Sequence, residues 1–302
     1  MQRTVRTICL GRFLMVVPQD ARVRGSYVTA GTRVLTHVGV SSAGFAEDVS
    51  GRQAELQAAA HDEGGSMFVE RYALTPLHEV LVSWASSASR RIYRYEEFQH
   101  FPDQQVLFRF DGNGTATPRA RANAREAQAR FSSAMRVRSA DEIPKQAGFC
   151  IERGFIAGAA LNREEVEAGI ELRGTRGTQL AFTSFVTRNP EPSLMVRAAE
   201  IPMGQPDSVG EGSFALRRRQ RTAAGLQGTE LLLVENDDDE LSYEFMWEYS
   251  GTPDSLAAPF LKLALSLEPG AVGPGGDFSE LKVAMAFWDG LVDSLRLRPG
   301  AV

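Results

Sequence analysis

The sequence predicts an α+β protein of two homologous domains, each an antiparallel β-sheet with helices packed on one face. Three observations carry that expectation. The chain has 302 residues, more than one ordinary domain of roughly 100–200. Several stretches alternate apolar and polar side chains, and several segments recur in the same order in both halves. Apolar residues make up 43% of the chain and charged residues 24%, enough apolar material for two cores.

The chain opens on the apolar segment Cys9-Leu10-Gly11-Arg12-Phe13, and its apolar character ends at Pro18. That is far short of the ~20 residues a spanning helix needs. The segment also lacks the arrangement of a signal peptide. As written, the protein is expected in the cytoplasm, or in the periplasm if a leader precedes this start. Residues 42–61 follow helical spacing, with Phe45, Val49, Leu56 and Ala60 inward and a stop at Gly64-Gly65. Arg90 to Phe98 predicts a strand, and Gly112-Asn113-Gly114 a loop. Thr117-Pro118 offers a cap with proline at the first helical position. The stripe Ala120, Ala124, Ala127, Phe131 and Met135 follows it.

In the second half, Thr178 to Thr187 predicts a strand. Leu241, Tyr243, Phe245, Trp247 and Tyr249 alternate with Ser242, Glu244, Met246 and Glu248, the period of a half-buried antiparallel strand. Asn236 to Glu240 before it reads as a hairpin turn, since Asn and Asp tolerate turn geometry. Asp277 with Glu280 resembles a capping box. Leu281, Ala284, Met285, Trp288, Leu291, Val292 and Leu295 then mark the apolar face of a final helix. Trp84, Trp247 and Trp288 read as core residues.

The halves echo one another. Cys9-Leu10-Gly11-Arg12-Phe13 matches Cys150-Ile151-Glu152-Arg153-Gly154-Phe155, and the helices before Arg136-Val137-Arg138 and Arg296-Leu297-Arg298 end alike. Gly65 to Trp84 matches Gly228 to Trp247 without a gap. This places domains at 1–140 and 147–302, joined by a linker at 141–146.

A net charge of −5 gives no electrostatic reason for a nucleic-acid partner; it leans towards a neutral or basic protein. The four histidines (His37, His61, His78, His100) and two cysteines show no metal-ligand spacing, and no motif implies a cofactor. Cys9 and Cys150 lie in apolar stretches, where a free cysteine packs as a small buried residue. Gly-x-Ser-x-Gly is absent, and Gly64-Gly65-Ser66 reads as a turn. His78-Glu79 lacks the second histidine of a helical zinc site. Arg217-Arg218-Arg219-Gln220-Arg221 reads as an edge or solvated strand. The expectation is a protein that is not an enzyme.

Asp141-Glu142-Ile143-Pro144 followed by Gly148-Phe149-Cys150-Ile151-Glu152-Arg153-Gly154-Phe155-Ile156-Ala157-Gly158 resembles the opening of the C-terminal domain of type VI secretion immunity proteins cognate to lipase effectors. Both chain ends resemble that family's ends too. The resemblance implies a two-domain protein that binds a toxic phospholipase and stops it hydrolysing membrane lipid. A lipase must expose its serine to the lipid surface, so a bulky protein seated there is expected to block it. Two lobes on a short linker would leave a cleft suited to a protrusion on the partner. Asp237, Asp238, Asp239 and Glu240 are the contact candidates at its rim. The rival readings are a carrier of a small apolar ligand and an enzyme of an unrecognised class.

Overall fold

Strands dominate the chain. The computed structural model describes residues 4–158, 163–204, 212–237, 240–272 and 275–302. The first half runs β1 (Val5–Leu10), β2 (Phe13–Pro18), β3 (Arg22–Thr29), β4 (Thr32–Val38), α1 (Ser42–Ala58), β5 (Phe68–Thr75), β6 (His78–Ser86), β7 (Ser89–Phe101), β8 (Val106–Thr115), α2 (Pro118–Ala134) and β9 (Met135–Val137). The second half runs β10 (Gly148–Ile151), β11 (Gly154–Ala157), β12 (Glu165–Glu171), β13 (Thr178–Phe185), α3 (Leu194–Arg197), β14 (Gly212–Ala223), β15 (Leu226–Asp237), β16 (Glu240–Tyr249), β17 (Phe260–Leu267), α4 (Pro269–Val272), α5 (Leu281–Ser294) and β18 (Arg296–Leu297). The result is α+β and mostly antiparallel sheet.

The chain forms two compact units, and neither is one continuous stretch. Unit 1 holds Met1–Ser26, Asp141–Cys150 and Ala159–Val302; unit 2 holds Tyr27–Ala140 and Ile151–Gly158. In unit 1 the strands lie in the order β14-β15-β16-β17-β13-β12, and β1-β2-β18 form a small second sheet. In unit 2 the order is β5-β6-β7-β8-β4-β3, and β11 pairs with β9.

Helices cover both faces of the unit 2 sheet, not one. β6 carries Val80, Leu81 and Val82 in succession, all buried. Successive side chains of a strand point to opposite faces, so both faces of β6 are apolar and both need cover. Phe45, Val49 and Leu56 of α1 pack with Leu81, Phe98 and Leu107. Val80, Val82 and Tyr95 face the other way, with Ala124 of α2 against them. Unit 1 repeats the logic. Leu231 packs with Leu194 and Ala198 at α3, and Phe245 meets Trp288 of α5, ring centroids 5.6 Å apart.

Several local expectations need correction. α1 ends at Ala58 and leaves Ala60 exposed, because Ala60 bridges to Ser66 instead. Ala127 of α2 is exposed and Gln128 is buried in its place. The sheet beneath α2 presents tyrosines, which favour polar and cationic partners. Tyr72 donates to Gln128 at 2.6 Å, and the Arg125 guanidinium lies 4.2 Å from the Tyr72 ring centre. Burial, helped by Glu97, pushes the Tyr72 phenol up to about 12. Gly112-Asn113-Gly114 is part of β8, not a loop. Its glycines leave room for Thr32 and Tyr95, each of which would lie 3.1 Å from an added Cβ. The capping box at Asp277 does not form. Phe278 is drawn into the core with its N–H on the Ala271 carbonyl, so α5 starts at Leu281 with Glu280 as an N-cap lacking a side-chain bond.

Cys9 and Cys150 are not free. They form a buried disulfide between β1 and β10, 141 residues apart in sequence.

Gly228 shows how tightly unit 1 packs. A Cβ there would stand 2.5 Å from the Glu248 carbonyl oxygen and 2.7 Å from the Trp247 ring. Backbone cannot give way as a flexible side chain can, so Gly228→Ala is expected to lower unfolding free energy by about 2–3 kcal/mol. Urea denaturation would check it; an unchanged midpoint would show that β15 and β16 can separate freely.

Candidate partner-binding surface

β15 ends at Asp237 and β16 begins at Glu240, and these two residues pair in register. Asn236 and Asp237 close β15 and Glu240 opens β16, so three of the five residues expected in the turn are strand residues instead. Asp238 and Asp239, with the Asp237 side chain, lie outside the described residues. The neighbouring positions extend the acidic character. Leu233 pairs with Glu244 and Glu235 with Ser242, so Glu235, Glu240 and Glu244 share one face. All three are exposed. Nearer the middle of the hairpin that face carries Leu231, Leu233 and Met246 against α3. Past the cover of α3, apolar side chains give way to carboxylates. Like charges held together on a surface repel, and a basic partner relieves that repulsion while speeding encounter.

Unit 1 also carries an open apolar hollow of about 600 Å³ between β1–β2 and α5, walled by Val17, Pro18, Phe278, Phe287 and Leu291. Val5 and Val283 on its margin are 59% and 42% exposed. An apolar surface left open to water is a feature of interaction sites. Helical spacing signals the buried face of α5; nothing in that spacing announces that Val283 and Phe287, on its other side, would join β1–β2 in a groove.

The residues weighed for chemistry go elsewhere. The disulfide removes both cysteines as nucleophiles. Gly64 and Gly65 have φ of +91° and +75°, the glycine-rich bend the sequence suggests, and Ser66 after them bridges to Ala60. His78 offers the nearest likeness to a catalytic array, which the sequence did not reveal. Its Nδ1 lies 2.8 Å from Ser132 Oγ and its Nε2 3.1 Å from Glu97 Oε2, and Gln99 donates to the same serine oxygen at 3.2 Å. The connectivity is that of a triad, but the setting is wrong for acyl transfer. Ser132 lies in the last turn of α2, where the negative end of the helix dipole opposes a developing oxyanion. His78 is fully buried. These bonds satisfy buried polar groups and tie α2 to the sheet.

The arginine run of β14 is at a sheet edge as expected, but it is not merely solvated. Alternation does send it both ways. Arg218 donates to the carbonyls of Ala198 and Ile201 on one face. On the other, Arg217, Arg219 and Arg221 converge on Glu230. Glu230 is wholly buried and also accepts from Trp288 Nε1 at 2.8 Å. Arg221 pairs further with Asp289 at 2.6 Å and Asp293 at 2.7 Å. Three cations meet three carboxylates, so the run offers no free basic patch. Among the described residues, no group of three or more potential ligands could hold a metal ion, and no helix is long and apolar enough to cross a membrane.

Residues 142–300 match the family model described as the C-terminal domain of Tle cognate immunity protein 4, just over half of the chain. The chain belongs to this family. Its likeness to solved structures runs nearly end to end. The structure described as the apo form of the T6SS immunity protein TplEi from Pseudomonas aeruginosa shares 27% identity at a TM-score of 0.83, covering 98% of this chain and 97% of that one. The crystal structure of the Tle4–Tli4 complex contains a chain sharing 28% identity, also at 0.83, with 99% of each covered. TplEi complexed with an "L" peptide matches at 26% identity and a TM-score of 0.77, with 98% of each chain covered. No curated protein sequence matches the chain. The family's C-terminal domain contains β10 to α5, and with them both Glu230 and the acidic hairpin.

Proposed function

We propose that the chain neutralises a type VI secretion phospholipase by binding it and covering its active-site region, with no bond made or broken by its own side chains. The observation that carries this reading is the family match together with near full-length likeness to one partner of an effector–immunity complex. The unsuitable setting of Ser132 supports the non-catalytic part. Protection of a cell calls for nanomolar affinity, about −12 kcal/mol. The test is direct: the purified chain, added to a serine lipase encoded by an adjacent reading frame where one is found, is expected to abolish lipid hydrolysis at a one-to-one ratio. A lipase left fully active sinks the reading.

The acidic hairpin is the proposed contact. Replacing Asp237, Asp238, Asp239 and Glu240 with Ala is expected to slow association and weaken binding by about tenfold, as loss of rim charges does. The loss should shrink in high salt. Equal association rates for variant and wild type would remove this hairpin from the interface.

Two further parts of the reading concern origin and place. A duplication, with sequence domains at 1–140 and 147–302 and a linker at 141–146, is supported by the matching strand orders β5-β6-β7-β8-β4-β3 and β14-β15-β16-β17-β13-β12. The first hairpins agree too. Arg298 donates its N–H to the Arg12 carbonyl and Arg138 to the Arg153 carbonyl, while Gly11 and Arg153 share a φ of +58°. These orders set β6 against β15, so the residue match of Gly65–Trp84 with Gly228–Trp247 is one strand out of step. A periplasmic location, rather than a cytoplasmic one, is supported by the disulfide, since such bonds persist in oxidising compartments.

A further inference from the structure

The disulfide sits in a knot of bonds that joins three remote parts of the chain within unit 1. Beside Cys9, the Gly11 N–H donates to the Cys150 carbonyl at 2.9 Å, and the Cys150 N–H returns a bond to the Gly11 carbonyl at 2.8 Å. The next residue, Arg12, grips Glu164 through Nε and Nη2, both at 2.6 Å, and donates Nη1 to the Ala301 carbonyl. Arg298, near the chain's end, donates to the carbonyls of Pro144, Gln146 and Gly148 at 2.7 Å. Beginning, middle and end meet here, and each of these bonds joins two of the three.

The non-covalent part of this knot is poorly suited to closing itself. The backbone bridge at Gly11 and Cys150 is isolated, and β10 has four residues. The Arg12–Glu164 pair is buried on both sides, so its desolvation opposes closure until its geometry is complete. Bringing Cys9 to Cys150 means closing a loop across 141 residues, an entropy cost that a covalent link removes from the unfolded chain.

We propose that the Cys9–Cys150 disulfide is a compartment-dependent latch: the chain holds this knot, and with it a binding-competent unit 1, only after a disulfide oxidant has made the bond. One cysteine thiolate attacks the oxidant's disulfide, forming a mixed disulfide and expelling one thiol. The second thiolate then attacks the mixed disulfide and expels the other thiol. The chain loses two electrons and two protons, and the oxidant gains them. Both sulfurs end in residues at most 2% exposed, so exchange must take place before the knot packs, and the packed bond is shielded from reductants. The latch therefore sets during folding and does not toggle in the finished protein. In a reducing compartment the same chain stays loose.

The test uses the full chain in urea, oxidised and after refolding with dithiothreitol, with thiol titration to confirm each state. Reduction is expected to lower the folded-to-unfolded ratio on the order of a thousandfold. Hydrogen-exchange protection of 9–12 and 144–150 should fail first, while residues 78–101 of unit 2 stay protected. The Cys9→Ala/Cys150→Ala variant should resemble the reduced chain and ignore dithiothreitol. A reduced chain with two titratable thiols, an unmoved midpoint and unmoved protection overturns the latch. The binding arm rests on the immunity reading. There the reduced chain should inhibit the lipase at least tenfold less well, and equal inhibition by both forms overturns the latch. Inhibition by neither form, with the midpoint still shifted, counts against the immunity reading and leaves the latch supported.

Discussion

Replacing Glu164 with Gln is expected to lower the unfolding free energy by about 3–5 kcal/mol, the usual cost of stranding one member of a buried ion pair. Arg12 and Glu164 are 3% and 5% exposed, so water cannot take over the role of the lost partner. The bond is bidentate, the geometry in which guanidinium and carboxylate fit each other best. A second cation sharpens the effect. Burial, with the nearby Arg12 cation, holds the Arg298 guanidinium below its ordinary range, so the carboxylate is needed near two cations. Arg12→Met should cost a similar amount by removing the bidentate guanidinium from the buried Glu164 carboxylate. The double variant Arg12→Met/Glu164→Leu is expected to recover most of the loss, because an apolar pair needs no compensation for desolvation. Urea denaturation of the three variants forms a double-mutant cycle. Additive losses would mean that the pair does not act as a unit.

The elements were more legible than their partners. β16 announces itself by the alternation of Tyr243, Phe245 and Trp247 with polar residues, and the inward stripe of α1 holds at Phe45, Val49 and Leu56. Periodicity is a local signal, and it reports one strand or helix at a time. Cover on both faces of the unit 2 sheet could have been inferred from Val80-Leu81-Val82, an apolar run too dense for a half-solvated strand. The pairings Cys9–Cys150, Arg12–Glu164 and His78–Ser132 could not be inferred, since each depends on how distant strands are ordered. Two isolated cysteines in apolar strands look the same to the sequence whether they are bonded or free. The candidate site divides the same way. Asn and Asp signal a turn in the acidic run, yet Asn236, Asp237 and Glu240 are strand residues, and the continuation of the acidic face through Glu235 and Glu244 needs the register of β15 against β16. Glu230 was hidden for a related reason. A glutamate between Thr229 and Leu231 carries no mark of the three arginines that the neighbouring β14 brings to it.

That glutamate carries the second large expected effect. Burial alone would raise the Glu230 carboxyl, but its bonds from Arg219, Arg221 and Trp288 outweigh burial and hold it below the ordinary carboxylate range. A carboxyl depressed in the folded state stabilises the protein above the unfolded value of about 4.3. That stability is lost as pH falls through the lower folded value. The unfolding free energy is therefore flat in this respect near neutrality and declines in acid below about pH 4. Glu230→Gln keeps the shape and an oxygen for Trp288 while removing the charge. It is expected to cost about 3 kcal/mol at neutral pH, the lower end for a broken buried pair. Arg219 is half exposed and can turn to water, and Arg221 keeps Asp289 and Asp293. Arg219→Ala should cost less than about 1 kcal/mol for the same reason. Urea midpoints measured from pH 7 down to pH 3 separate charge from packing. The gap between wild type and Glu230→Gln should narrow in acid as the wild-type carboxyl takes up its proton. A gap that stays constant across that range would show that Glu230 acts by filling space rather than by its charge.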